Sequence, residues 1–398
     1  MTKVSNLFLI GLVTLYIQII PGLGETQPWL ILFTIGLALL SSMKKITIDP
    51  NTVILIIIVL VIYISTITAS LISQIFELES FLRVSFFLII TTGVAFWKIE
   101  EVSVNSYLLI LFCILFYAIC QFLQVPGFSI LNSMLFGRGE ISAQLRGISL
   151  LAPEQSYMGM MLVILYYLGY RNVKNFRSAY TGFMVFIIIC LLLFMLRSAI
   201  CLYFLLIIIL HYFWERKKFT LALSLVFCSL LYLLNDRIHK ITNAVVSIHL
   251  SMEEFFTALL IAEPSGTVRL ATSFSSIVVF VNNILGCGFG CFRQSWFEYV
   301  EPNSILLANF IYERSFVTKQ HIFVQAAPLN ILADTGILSL IFCLLLIYGK
   351  HRKFDKMRVL EVLPIMVPFL FFQHGYFAPY LGFCIAYSII RDPVSDYL

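Results

Sequence analysis

Long apolar stretches separated by short polar breaks fill the chain from about residue 5 to residue 234. They resume at about residue 322 and continue towards the end. The apolar positions are continuous and do not alternate with period two, which selects helices over half-buried strands. About twenty apolar residues carry a helix across a bilayer core. On that rule spans are expected near 5–20, 28–43, 52–72, 81–97, 103–125, 149–170, 178–196, 199–214, 219–234, 322–348, 359–373 and 376–390. Twelve spans place both termini on one side. The first apolar run lacks a small-residue cleavage site and reads as an anchor.

One break is far longer than a turn needs. Residues 235–321 carry Arg237, Arg269, Arg293 and Arg314, several carboxylates and the run Gly286-Cys287-Gly288-Phe289-Gly290. Within this insert, 274–285 has the pattern of an amphipathic helix lying on the membrane surface, because twelve residues are too few to cross. The glycines then release the chain into a turn. No strand–turn–helix context surrounds them, so a dinucleotide-binding reading fails. The expected organisation is an N-terminal bundle of about nine spans over 1–234, a large external loop over 235–321, and C-terminal membrane helices over 322–398. The fold class is an all-α, polytopic membrane helical bundle.

Composition enforces the same reading. Of 398 residues 60% are hydrophobic and 12% charged, with a mean hydropathy of +0.97. A soluble domain cannot bury that much apolar side chain, so lipid is the solvent for most of it. In lipid every backbone polar group needs an internal partner, which again leaves helices. Of nine cysteines, most fall inside predicted spans, where Cys behaves as a small hydrophobe. Only Cys287 and Cys291 lie in the insert. A disulfide between them is open, no His completes a metal-ligand pattern, and the expectation is two unpaired thiols.

Charge orients the bundle. The clusters Arg171–Arg177, Arg216–Lys218 and Lys350–Arg358 all fall on one face, which the positive-inside rule makes cytoplasmic. The insert is then outside, with both termini inside. The net charge of +5 is scattered among helix ends and is no nucleic-acid signal. The cytoplasmic set holds ten Lys and six Arg, whereas the external set holds eight Arg and two Lys. Arginine is favoured where a planar fork must grip phosphate or carboxylate at two points. Arg83 and Arg197 fall within or at the ends of spans, where a charge usually faces a polar cavity. An external cavity lined with arginine suits an anionic lipid headgroup, a diphosphate above all. The competing reading pairs individual arginines with Glu77, Glu79, Glu140, Asp236 or Glu263.

Two further external stretches carry candidate chemistry. In Arg146-Gly147-Ile148-Ser149-Leu150-Leu151-Ala152-Pro153-Glu154-Gln155-Ser156-Tyr157, Pro153 fixes a first-turn or kinked geometry. That geometry holds Glu154, Gln155, Ser156 and Tyr157 at the mouth of the bundle as a sugar-binding face. The plainer alternative is an ordinary helix start, with an acidic residue matched to the helix dipole. The second stretch runs from Lys319 to Leu338. If helical, it puts His321 and Gln325 on one face, and Asn330 and Asp334 on one face.

Arg269-Leu270, an amphipathic run, Gly286-x-Gly-x-Gly, a longer loop and Asn330-Ile331-Leu332-Ala333-Asp334-Thr335-Gly336-Ile337-Leu338 together resemble the O-antigen polymerase and O-antigen ligase superfamily. Arg146…Pro153-Glu154-Gln155-Ser156 is similar to the polymerase branch's Arg…Glu-Pro-Ser-type motif, with Pro and Glu in the opposite order. Leu196-Arg197-Ser198-Ala199 is similar to a Ser-Arg-containing span start of that branch. The resemblance implies a GT-C-like bundle of about twelve spans with one large periplasmic loop, in the inner membrane. The family's His-Asn pair falls here on Gln325 and Ala326, so His321, one helical turn earlier, is the residue placed to take over the role.

The resemblance further implies a glycan donor on undecaprenyl diphosphate and a sugar hydroxyl as acceptor. Inverting displacement at the anomeric carbon builds negative charge on the departing diphosphate. Fixed guanidinium groups there stabilise the transition state more than the ground state. Arg146, Arg197 and Arg269 are the candidates for this clamp. Glu154, Glu263 and His321 are candidates for the base that takes the acceptor proton. Gln155, Ser156, Tyr157, Arg314 and Gln325 are candidates for sugar contacts. No metal and no cofactor are required, and the resemblance leaves room for a chain-length regulator protein as partner beside membrane lipids. A ligase that moves finished polymer onto a lipid A core is the first alternative. A lipid-linked glycan flippase or transporter is the second, against which stand the lack of two similar halves and of mid-bilayer charge.

Overall fold

The computed structural model describes residues 9–14, 50–78, 102–136, 155–172, 179–196, 199–215, 275–300 and 332–337. It also describes the single or paired residues 36, 81, 82, 85, 89, 148, 150, 151, 218, 221, 226 and 341. Among them the regular structure is helical, with an isolated bridge at Val102 and no strand. The helices are α1 (Pro50–Ser73), α2 (Val104–Phe122), α3 (Phe128–Phe136), α4 (Gln155–Asn172), α5 (Ala179–Leu196), α6 (Ala199–Glu215) and the short α7 (Cys291–Ser295). A π-helical turn over Trp296–Val300 continues α7. Residues 275–282 and 332–337 are helical as well. The spans expected near 52–72, 103–125, 178–196 and 199–214 coincide with α1, α2, α5 and α6 to within three residues, and the one expected near 149–170 overlaps α4, which starts six residues later. Most of the residues in the other seven expected spans lie outside the described ones. The chain packs as two units, residues 1–48 with 93–227 and residues 49–92 with 228–398.

In the first unit α4 is the axis. From Met158 to Leu168 nearly every side chain is fully enclosed, because α5 and α6 both pack along it. Helix α5 also touches α2 and α6. Close packing of apolar side chains and a few polar ties hold these helices together. Gly159 supplies one close approach: a Cβ there would lie 2.6 Å from Cys201 Sγ on α6. Tyr107 of α2 supplies a tie, its buried hydroxyl donating to the Leu165 carbonyl of α4 at 2.6 Å. At the α4–α6 contact the His211 ring is packed edge-on by Tyr166, Tyr167 and Tyr170. Tyr166 Oη lies 3.2 Å from His211 Nδ1. Phe186 of α5 stacks on Tyr212 with ring centroids 4.0 Å apart. After α2 the chain turns at Gln124 and Gly127, both at positive φ, and α3 follows.

The outward faces are apolar. On α1, Ile57, Leu60, Ile64, Ile67 and Leu71 recur at helical spacing and stand exposed, while Thr66, Ala69 and Ser70 are buried. On α2, Leu109, Phe112, Phe116 and Ile119 form the same kind of exposed stripe, continued by Leu123 just past its end. A water-soluble surface does not carry contiguous stripes of this kind. Among the described residues two helices, Ile56–Ser73 and Val104–Phe122, are long and apolar enough to cross a membrane. Three shorter apolar helices, Met158–Tyr170, Tyr180–Leu196 and Cys201–Trp214, accompany them.

Candidate functional site

In the second unit three segments distant in sequence converge. They are the C-terminal end of α1, the glycine run after helix 275–282, and residues 332–337. Helix α1 stops after Ser73 because Gln74 takes a left-handed conformation, φ 60°, the usual way a helix is terminated. The chain then runs beside the glycine run. Ser73 Oγ donates to the Cys287 carbonyl at 2.6 Å, and the Glu77 amide donates to the Phe289 carbonyl at 3.1 Å. One turn inside α1, Ser70 Oγ accepts the buried Phe289 amide at 2.8 Å.

Residues 332–337 hold the other side of the run. The Cys287 amide donates to Ala333 O at 3.3 Å, the Gly288 amide to Asp334 O at 3.0 Å, and the Ile337 amide to Ile284 O at 2.9 Å. Glycine is required where these backbones cross. Gly286 and Gly288 both have positive φ, 85° and 92°. A Cβ on Gly286 would lie 2.6 Å from the Gly336 nitrogen, and one on Gly288 would lie 2.5 Å from Ser70 Cα. Gly336 faces Leu285 in the same way, and Gly290 is covered by the Glu77 side chain. Phe289, fully enclosed, packs edge-on against Phe76 and Phe81 with centroids 6.0 and 5.3 Å away.

This geometry decides what the glycine run is for. The amides of Gly286, Cys287, Gly288, Phe289 and Cys291 are each spent on a protein acceptor. They are therefore not turned outward as a phosphate cradle would need. The run is a joint that carries side chains on either flank: Glu77, half-buried, on one, and Asp334 and Thr335, 3% and 4% exposed, on the other. Sequence reasoning singled out Asp334 by its motif. It missed Ser70, Ser73 and Glu77 as joint residues, because nothing local marks the end of α1 as a docking point.

The expectation of two unpaired thiols at Cys287 and Cys291 is corrected by the structure, which joins them in a disulfide with Cα atoms 5.2 Å apart. That separation lies inside the range a bridge can span. The glycine joint turns the chain just enough for the fourth residue on to return beneath the first. Closing so short a loop is worth about 2 kcal/mol on a chain-entropy argument. Ser295 Oγ lies 3.6 Å from one sulfur and 3.8 Å from the other, and 3.3 Å from Asn283 Nδ2. Beyond α7, Tyr299 hydrogen-bonds the neighbouring Glu298 side chain, which raises its hydroxyl pKa above the ordinary value.

Helix 275–282, expected as amphipathic over 274–285, presents a mostly apolar outer face on which Asn282 is also exposed. Ser275, Ser276 and Val279 are buried, whereas Ile277, Val278 and Val281 are exposed, followed by exposed Ile284 and Leu285 in the turn. An apolar outer face of this sort suits the acyl boundary better than water.

Of the residues expected to carry chemistry, Gln155, Ser156 and Tyr157 form the first turn of α4, the enclosed axis of the first unit. Arg146, Glu154, Arg197, Glu263, Arg269, Arg314, His321 and Gln325 lie outside the described residues. Exposed apolar stripes and two helices long enough to span point to a helical membrane protein. No family model, no curated protein and no solved structure matches the chain.

Proposed function

We propose that the chain is a polymerase of O-antigen or a similar surface polysaccharide. It is a multi-pass protein of the inner membrane with both termini cytoplasmic and the 235–321 loop in the periplasm. The donor is a glycan on undecaprenyl diphosphate and the acceptor is the terminal sugar of a lipid-linked repeat unit. In the reaction an acceptor hydroxyl oxygen bonds the donor's anomeric carbon with inversion. The bond from that carbon to the diphosphate breaks, and the acceptor proton passes to a base drawn from Glu154, Glu263 and His321. Arg146, Arg197 and Arg269 hold the diphosphate as its charge grows, and Gln155, Ser156, Tyr157, Arg314 and Gln325 orient the sugars. The reaction needs no metal, because the leaving group is already activated.

One observation carries the reading. Two of the stretches that carry the family resemblance, the glycine run 286–290 and the segment around Ala333 and Asp334, meet backbone to backbone through Cys287–Ala333 and Gly288–Asp334. Motifs that are separate in sequence but interlocked in space behave as one device, here the base of the external loop beside the end of a membrane-crossing helix. The test is a gel of surface polysaccharide from a deletion strain complemented with variants. Arg197→Ala and Arg269→Ala are expected to insert normally and to leave only single-repeat product. Wild-type ladders from both would overturn the diphosphate clamp. Lipid-bound polymer with a bare core would turn the assignment to a ligase.

A further inference from the structure

We infer that Cys287 and Cys291 form an oxidative maturation site, closed on the extracytoplasmic side by a protein disulfide donor, and that closure locks the glycine joint onto α1. The location rests on the orientation given above; the chemistry does not. Cys287 is the residue at which all three converging segments are tied together. Its amide bonds Ala333 O, its carbonyl accepts from Ser73 Oγ, and its sulfur joins Cys291 at the start of α7. The neighbour on its C-terminal side, Gly288, is pressed against the Ser70 backbone. Fixing the sulfur of this one residue therefore fixes the crossing of the segments.

Of the other described cysteines, Cys113, Cys120 and Cys190 are free thiols on helices of the first unit. The Cys287–Cys291 bridge falls in the loop that the charge pattern puts outside, the compartment in which disulfides persist. In the step each thiol gives up one proton and one electron and the S–S bond forms. The two electrons and two protons reduce the donor's disulfide to a dithiol. Cys287 is 4% exposed and Cys291 is fully buried, so a reductant in solution has no path to either sulfur once the joint is packed. The bridge is a staple set during folding, not a switch worked afterwards.

The experiment uses the full chain in its membrane. Protein is acid-quenched, blocked with N-ethylmaleimide in denaturant, reduced, and labelled with a mass-tagged maleimide. Wild-type protein is expected to gain two more tags than the Cys287→Ser/Cys291→Ser variant, including when membranes are soaked in dithiothreitol before the quench. An equal number of tags in both proteins overturns the site. Loss of the two-tag difference after the soak overturns the buried staple. The same difference in a host lacking its extracytoplasmic thiol oxidant overturns the external donor. Limited proteolysis of membranes tests the lock: the double serine variant is expected to be cut faster within 286–295 than wild type, and equal rates overturn it. None of these readouts involves polysaccharide, so they stand or fall apart from the polymerase reading.

Discussion

The helical bundle around α4 and the glycine joint at the end of α1 are assembled from different materials. In the bundle, side chains meet side chains: Met, Leu and Ile rows interlock, with single polar contributions such as Tyr107. In the joint, backbone meets backbone: four glycines make room, and hydrogen bonds run from main-chain amides to main-chain or serine oxygens. A side-chain interface adapts, because rotamers shift and a neighbour gives a few tenths of an ångström. A backbone crossing has no such slack. The bundle should therefore tolerate conservative change, and the joint should not.

Two glycines at the same φ of 92° break or sharpen that contrast most directly. Gly127, between α2 and α3, has nothing within 4 Å of where a Cβ would stand, whereas at Gly288 the Cβ would meet Ser70 Cα and nitrogen at 2.5 and 2.6 Å. Gly127→Ala is expected to incur only the left-handed penalty of an L-residue, about 1–2 kcal/mol. Gly288→Ala adds a collision with main chain that cannot move aside, and a loss above about 4 kcal/mol is expected, the range in which folding itself fails. Thermal unfolding and folded yield in detergent compare the two. Similar losses would show that φ alone matters and that the crossing is loose.

What was legible in the sequence follows the same division. Apolar side-chain packing leaves its mark as hydropathy, and the extents of α1, α2, α5 and α6 could be read from apolar runs alone, whereas α4 starts six residues after the expected 149. The helix over 275–282 was legible too, from its short amphipathic pattern. The joint was half legible. Gly286, Gly288 and Gly290 announce an unusual backbone, and Asp334-Thr335-Gly336 stands out in an apolar stretch. What no local pattern encodes is that these pieces find each other and the Ser70–Glu77 segment more than 200 residues earlier in the chain. The disulfide was misread for a related reason. Spacing alone does not distinguish a bridge from two thiols, since that depends on the turn made by Gly288 and Gly290 between them.

A middle-sized effect is expected inside the bundle at Gly159. A Cβ there would lie 2.6 Å from Cys201 Sγ and 3.5 Å from the Phe204 ring, both side-chain atoms. Gly159→Ala should then cost about 1–3 kcal/mol as overpacking. Pairing it with Cys201→Ala, which removes the obstructing sulfur, should recover most of the loss, a coupling of about 0.5–3 kcal/mol in a double-mutant cycle. Recovery is the signature of an interface that adapts. Without recovery, α4 and α6 are in contact through their backbones, and the bundle resembles the joint after all.

The smallest effect is expected at the polar tie between α2 and α4. Tyr107 is almost wholly enclosed, and its hydroxyl donates to Leu165 O, a carbonyl inside a helix that has its own intrahelical partner. Tyr107→Phe therefore removes a donor together with its need for that acceptor, and the Leu165 carbonyl keeps its helical partner. The expected loss is about 1 kcal/mol, the net worth of a hydrogen bond whose alternative is not an orphan. It would appear as a small downward shift in the detergent unfolding midpoint with unchanged folded yield. A loss as large as that of Gly288→Ala would mean that the bundle, too, hangs on an irreplaceable polar contact, and the distinction between the two regions would fail at its most sensitive point.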